Sequence, residues 1–284
     1  RTQRRRAPPG CIAPTEVGAM SHRDHRNMPR PLAELGPAEL RAAIRQGYQG
    51  TTSGLARGHV QCNLVVLPAA HAAGFVDFCR ANPAALPLVG VGQPGNPHFP
   101  ELAIGGDIRS DLGGYIRVAR GQPPASLSDL RAHWSADAVA VLLGCWFTAE
   151  SVLAAEGIRL RHMEQGIQGG LFRTRRACVR AGGFEGPLVV SMRPFLDKDV
   201  PKVVALTRPL HLAHGEPIHQ GHPAELGIQD LGRPDWGEPL PPEPGEVPLY
   251  WGCGLTANEA LARADLPWFV THQPGRMWVT DLKA

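Results

Sequence analysis

Among the 284 residues there is no run of about 18 or more apolar side chains, so no helical membrane span is readable. The opening residues hold no apolar stretch of the kind found in secretory signals. The six cysteines (Cys11, Cys62, Cys79, Cys145, Cys178 and Cys253) are irregularly spaced, and none forms a C-x-x-C pair. That excludes a zinc knuckle or thioredoxin motif and fits reduced thiols in a cytoplasm. No G-x-x-x-x-G-K-[ST] occurs, which removes the P-loop nucleotide sites. Spread positive charge is missing too. The net charge is +3, yet residues 1–35 carry seven arginines against three acids, leaving −1 for the rest. A nucleic-acid surface spreads its cations over the folded body, so nucleic acid is not an expected partner. Residues 1–35 are expected to be a disordered basic tail, with Met20 or Met28 a candidate natural start.

What the chain does have is glycine and proline, 33 and 28 of them, which predicts many turns and short helices. Helices are expected over Pro37–Gln46, which opens with proline and stops at Gly47, and over Ala69–Ala81, with Phe75, Phe78 and Cys79 on one face. A third is expected over Ser126–Trp134, where Ser126 and Asp129 have capping-box spacing. Strands are expected at Val60–Leu67, Ala138–Cys145, Leu188–Met192, Val247–Cys253, Trp268–His272 and Met277–Leu282. The run AVAVLLGC is apolar throughout, as in a central, parallel strand covered on both faces. Strands alternating with helices make this an α/β chain with helices layered on a mixed sheet.

One stretch echoes another. GCWFTAESVLA (Gly144–Ala154) and GCGLTANEALA (Gly252–Ala262) share six residues at a constant offset, and Thr256 with Glu259 reads as a capping box. Each follows an apolar strand and opens a helix, whose N-terminus would favour an anion. Two such units should border one cleft. Cys145 and Cys253 stand at the helix starts, where a thiol pKa would fall. Asp107, Arg109 and Asp111 alternate, which on extended backbone would hold the arginine between two carboxylates. His211, His214, His219 and His222 cluster in a Gly/Pro-rich loop that invites a metal reading, although the spacing follows no zinc signature. His272 stands at a strand end before a Pro-Gly turn.

Nine segments in order, GTTSGLARGHVQCNLVVLP, FCRANP, DIRSDL, LLGCWFTAE, FRT, GPLVVSMRP, HGEPIHQGHPAELGIQDL, VPLYWGCGLT and THQPGRMWVTDL, resemble the D-glutamate cyclase family of hydro-lyases. They span about Leu35 to Leu282. The resemblance implies a three-layer α/β sandwich with a smaller two-layer α+β domain, placed here at 36–155 with 246–284, and at 156–245 respectively. It also implies dehydrating cyclisation of D-glutamate to 5-oxo-D-proline, and neither cofactor nor metal is expected in this enzyme. Such chemistry needs a carboxylate clamp, a base, an acid and oxyanion donors. The sequence offers Arg193 or Arg109 as clamp, His214 or His272 as base, and Asp107 or Glu150 as acid. Backbone N–H groups after Cys145 or Cys253 would hold the oxyanion, and Cys145 is itself a candidate nucleophile. Thr52, Ser53, Asn63, Arg173, Ser191 and Cys253 are assigned to substrate binding. Trp146 stands where the family has a small hydroxyl residue, which reshapes the pocket; Gln273 and Arg276 are further departures. The rival readings are a non-catalytic carboxylate-binding protein and a metal-dependent hydrolase using the His214–His222 loop. Oligomeric state is left open, with a homodimer among the options.

Overall fold

A computed structural model describes residues 30–284. Residues 1–29, most of the expected tail, lie outside the described residues. Leu35, at the tail's other end, is buried against Leu40 and Ile44, so the folded body begins before the first helix.

The elements in chain order are α1 (Pro37–Arg45), β1 (His59–Pro68), α2 (Ala69–Ala81), β2 (Leu88–Val91), β3 (Tyr115–Ala119), β4 (Ala125–Leu127), β5 (Ala138–Gly144), α3 (Phe147–Ala155), α4 (Arg161–Glu164), β6 (Leu171–Ala177), β7 (Pro187–Leu196), α5 (Val200–Thr207), β8 (His219–Gln220), β9 (Glu246–Gly252), α6 (Leu255–Arg263), β10 (Trp268–His272) and β11 (Trp278–Lys283). They build two sheets. The first runs β2-β5-β1-β10-β3-β4, with β11 also on β1, and the second runs β6-β7-β9-β8.

The fold is mixed α/β, but every strand pairing among the described residues is antiparallel. The parallel expectation for β5 therefore fails, while its burial holds at all seven positions. The cause is a core on each face. Val139, Val141 and Leu143 join Phe75 and Phe78 of α2 on one side, and Ala138, Ala140 and Leu142 join Phe99 and Trp278 on the other. Continuous apolar sequence reports cover on both faces, which loops and helices can supply to an antiparallel strand as well. Glu246–Gly252, grouped above with the first part of the chain, pairs with Leu196–Val190 along β7 in the second sheet. The core under α2 also takes in Phe184, Ala257 and Leu261 from the second half of the chain, so one apolar mass joins the two sheets.

The expected helix over 126–134 is absent. Ala125–Leu127 is β4, the edge of the first sheet, and only Arg131–His133 makes a single 3-10 turn. Asp129 accepts from the Arg131 backbone N–H at 2.7 Å instead of closing a capping box.

The glycine ahead of each cysteine in the echoing segments is there for clearance. A Cβ on Gly144 would lie 1.7 Å from the Leu212 carbonyl oxygen, and one on Gly252 2.4 Å from that of Ala84. Both turns are thus crossed closely by another stretch of backbone.

Candidate active site

The two strand–turn–helix units are equivalent in their hydrogen bonds. The Thr148 hydroxyl accepts from the Gln61 N–H of β1 at 3.0 Å, and the Thr256 hydroxyl accepts from the Val189 N–H of β7 at 3.0 Å. Each threonine therefore ties its helix to the strand beside its own. The capping box expected of Thr256 and Glu259 does not form, since the Thr256 hydroxyl is spent on β7 and the Glu259 carboxylate on Arg173 and Arg263. The N-cap of α6 is Gly254, which has no side chain to offer. The units meet at Asn63: its amide donates to the Gly144 carbonyl at 2.8 Å, and a Cβ on Gly254 would lie 2.6 Å from it.

Cys145 and Cys253 stand just ahead of α3 and α6, and the N–H groups of Phe147 and Leu255 face their sulfurs. The depressed thiol pKa expected there is not found. Burial pushes Cys145 up to about 12 and raises Cys253 as well, outweighing the backbone donor at each helix start. Both sulfurs are therefore neutral thiols at neutral pH, and Cys145 has no base beside it in the hydrogen-bond pattern.

Beside these turns lies an unusual buried cation. Arg193 on β7 is 3% exposed, and its Nη1 donates to the Met192 carbonyl at 2.8 Å. Among the described residues no carboxylate pairs with it, and its Nε has no partner. Burial lowers its pKa against the pull of Glu150, the largest opposing charge. The guanidinium lies 5.0 Å over the Trp146 ring. Ser191 shares its strand face, because positions two apart on a strand point the same way, and Val190 and Met192 enter the core behind. The Ser191 hydroxyl and the Trp146 indole nitrogen are likewise buried without partners. Of six such side-chain atoms among the described residues, these three share one neighbourhood. Buried polar groups are normally satisfied, so a cluster of unsatisfied donors marks a place for a ligand.

Beside Trp146 sits an acid–imidazole pair. Glu150, on the first turn of α3, accepts from the Ser53 hydroxyl at 2.8 Å and the Gly54 N–H at 2.9 Å, and pairs with His162 Nε2 at 3.0 Å. His162 belongs to α4, and its ring lies edge-on to Trp146 at 5.5 Å. Burial lowers its pKa, and the Glu150 hydrogen bond only partly offsets that, so the imidazole is neutral at neutral pH. Ser53, Glu150, His162, Trp146 and Arg193 thus form one chain of contacts, buried except at the half-buried Ser53. Two surface depressions, one lined by Arg180, Phe184 and Arg263 and one by α2 residues with Val91, include none of these five side chains.

Residues 139–281 match the profile of the D-glutamate cyclase family. A protein of Pseudomonas aeruginosa (strain UCBPP-PA14) named "Putative hydro-lyase" is 44% identical over 259 residues, covering 89% of this chain and 98% of its own. Proteins of the same name from Rubrobacter xylanophilus and Bradyrhizobium diazoefficiens are 45% and 42% identical, over 87% and 88% of this chain and 95% and 92% of theirs. The chain belongs to the D-glutamate cyclase family.

In this family member several of the other expected site residues are engaged in bonds of their own. Arg109 does not bridge two carboxylates. The segment turns instead of extending, so Arg109 grips Asp107 alone (Nη2 to Oδ2, 2.7 Å), and Asp111 is held by Arg45 at 2.6 Å. Arg173 is taken up by Glu259 at 2.8 Å and Asp235 at 3.1 Å, fastening β6 to α6. Thr52 anchors the start of β11 by accepting from the Met277 N–H at 3.1 Å. His214 stands in the left-handed region (φ 72°), and its Nδ1–H donates to the Ala84 carbonyl at 3.0 Å. His272 accepts from the Leu64 N–H at 3.2 Å. Burial lowers both to about 4.

The histidine loop does not converge on a point. His219 donates to the His222 carbonyl at 3.0 Å and packs on Tyr250, whereas His214 bonds the Ala84 carbonyl. Among the described residues no three His, Cys, Asp or Glu side chains are grouped to hold a metal ion. No helix among them is long and apolar enough to cross a membrane. Sequence reasoning missed His162, which falls in none of the nine segments and on a four-residue helix. Only its pairing with Glu150, on the preceding helix, identifies it.

Proposed function

We propose that this chain, a lyase by family, closes D-glutamate to 5-oxo-D-proline without a cofactor. The observation that carries the reading is a buried, unpaired Arg193 next to a Glu150–His162 pair. Arg193 holds the α-carboxylate, for which its fork of donors is shaped. With Nε2–H donated to Glu150, His162 keeps a lone pair on Nδ1 and serves as the base. It takes a proton from the ammonium group, and the amine nitrogen attacks the carbon of the side-chain carboxyl. A C–N bond forms and a C–O bond breaks. The departing oxygen leaves as water with the two protons that the ammonium gave up. Glu150, held by Ser53 and Gly54, positions His162 and stabilises its protonated form.

The test is to incubate the protein with D-glutamate and follow 5-oxoproline by NMR. Arg193→Ala should lower kcat/KM by about 100-fold or more, because a carboxylate clamp is lost. Glu150→Gln should lower kcat by about 10²–10⁴, the usual range for acid–base machinery. Binding of D-glutamate without turnover would make the chain a carboxylate-binding protein. Full activity in both variants would remove these roles.

A further inference from the structure

Trp146 occupies the centre of the buried chain. It contacts Arg193 by its face at 5.0 Å, His162 at 5.5 Å and Trp251 at 5.4 Å between ring centres. Its neighbour Trp251 satisfies its own indole nitrogen, which donates to the Gly215 carbonyl at 3.0 Å. Trp134 does the same with Gly95 at 2.8 Å. The Trp146 nitrogen donates to nothing, although the side chain is 3% exposed. A buried indole N–H ordinarily finds an acceptor, and one left over has lost its hydration without replacement. Close by, Arg193 Nε and the Ser191 hydroxyl are in the same condition.

The missing partner must be an acceptor. Every group in the cluster can donate, one is cationic, and the nearest carboxylate, Glu150, is already engaged by Ser53, Gly54 and His162. We propose that Trp146 is a specificity-determining residue: its indole N–H and Arg193 together grip one carboxylate of the ligand, and its ring sets how long an acid the site accepts. The stacking orients the guanidinium, and the indole supplies a donor of fixed direction beside it. The ring also lies against both the clamp and the His162 imidazole. Removing it enlarges the room for a ligand beside them. The inference rests on the anion-clamp part of the proposed function, but not on the cyclisation itself.

The experiment uses acids that cannot cyclise. Binding of succinate, glutarate and adipate to the full chain is measured by calorimetry for the wild type, Trp146→Phe and Trp146→Ala. Trp146→Phe keeps an aromatic ring beside Arg193 and removes the donor, at the cost of a smaller ring, so glutarate binding should weaken about tenfold in a chain that still folds. Trp146→Ala opens the space, so its preference should shift towards adipate over glutarate. In turnover assays Trp146→Phe should raise KM more than it lowers kcat, a split that a structural role would not produce. Equal glutarate binding by wild type and Trp146→Phe overturns the proposal, as does a wild type that binds none of the three acids. If Trp146→Ala fails to fold, Trp146→Phe decides the matter alone. Donor-dependent glutarate binding with no conversion of D-glutamate would keep this inference and discard the cyclase reaction.

Discussion

A single arginine shows how much a residue's setting decides. Arg45, Arg109 and Arg173 each grip carboxylates and are thereby committed to structure, whereas Arg193 is buried with donors to spare. The histidines divide in a similar way. His162 meets a carboxylate, while His214 and His272 are bonded to backbone and kept neutral by burial. The last two carry a pH signature. Their folded pKa values of about 4 lie below the ordinary 6.5, so between those values the unfolded chain binds more protons. Stability is therefore full above pH 6.5 and falls as pH drops from there towards 4, by on the order of a few kcal/mol for each histidine. Urea unfolding at pH 7 and pH 4.5 reads this loss, and His214→Gln or His272→Gln should each flatten it. An unchanged pH slope in both variants would contradict the assignment.

At the scale of elements, helices α3 and α6 are held to β1 and β7 by one threonine each. Replacing Thr148 or Thr256 by valine preserves shape but strands a buried backbone N–H, that of Gln61 or Val189. Each change should cost about 1–3 kcal/mol of unfolding free energy, measured by denaturant titration. A loss well under 0.5 kcal/mol would mean that the helix N-termini are seated by packing instead. Turns seated in this way bring Asn63 against Gly144 and Gly254, and set Trp146 and Glu150 one turn apart at the start of α3. The threonine ties thus serve the site as well as the fold.

For the molecule as a whole, the core under α2 is the deciding feature. Phe75 (edge to face) and Phe78 of α2 pack on Phe184 from the second half of the chain at 5.3 and 6.3 Å, with Ala257 and Leu261 of α6 in the same cluster. Two sheets that share a core should unfold together. Denaturation followed by tryptophan fluorescence and by far-ultraviolet circular dichroism should give coincident single transitions. Phe78→Ala should lower the common midpoint, with a loss of about 3–5 kcal/mol, and leave the curves superimposed. Curves that separate, with one sheet melting first, would show that this shared core does not couple them.

Local pattern by itself determined the six apolar strands and the two helices at 37–46 and 69–81, because alternation, apolar runs and bounding Gly or Pro act over a few residues. It also offered Arg193, Glu150 and the echoing Gly-Cys turns among a wider set of candidate site residues. It did not determine strand direction, since a run buried on both faces reads the same whether its neighbours are parallel or antiparallel. The short strands β2, β4 and β8 carry too few residues to show a period, and 125–134 followed the sheet edge over its own capping signal. Which arginine stays unpaired, which histidine meets Glu150 and what surrounds Trp146 were decided only in the tertiary structure. Those contacts join residues far apart in the chain, Ser53 to Glu150 and Trp146 to Arg193 among them. A site built that way is set by how two sheets pack, and no local period records it.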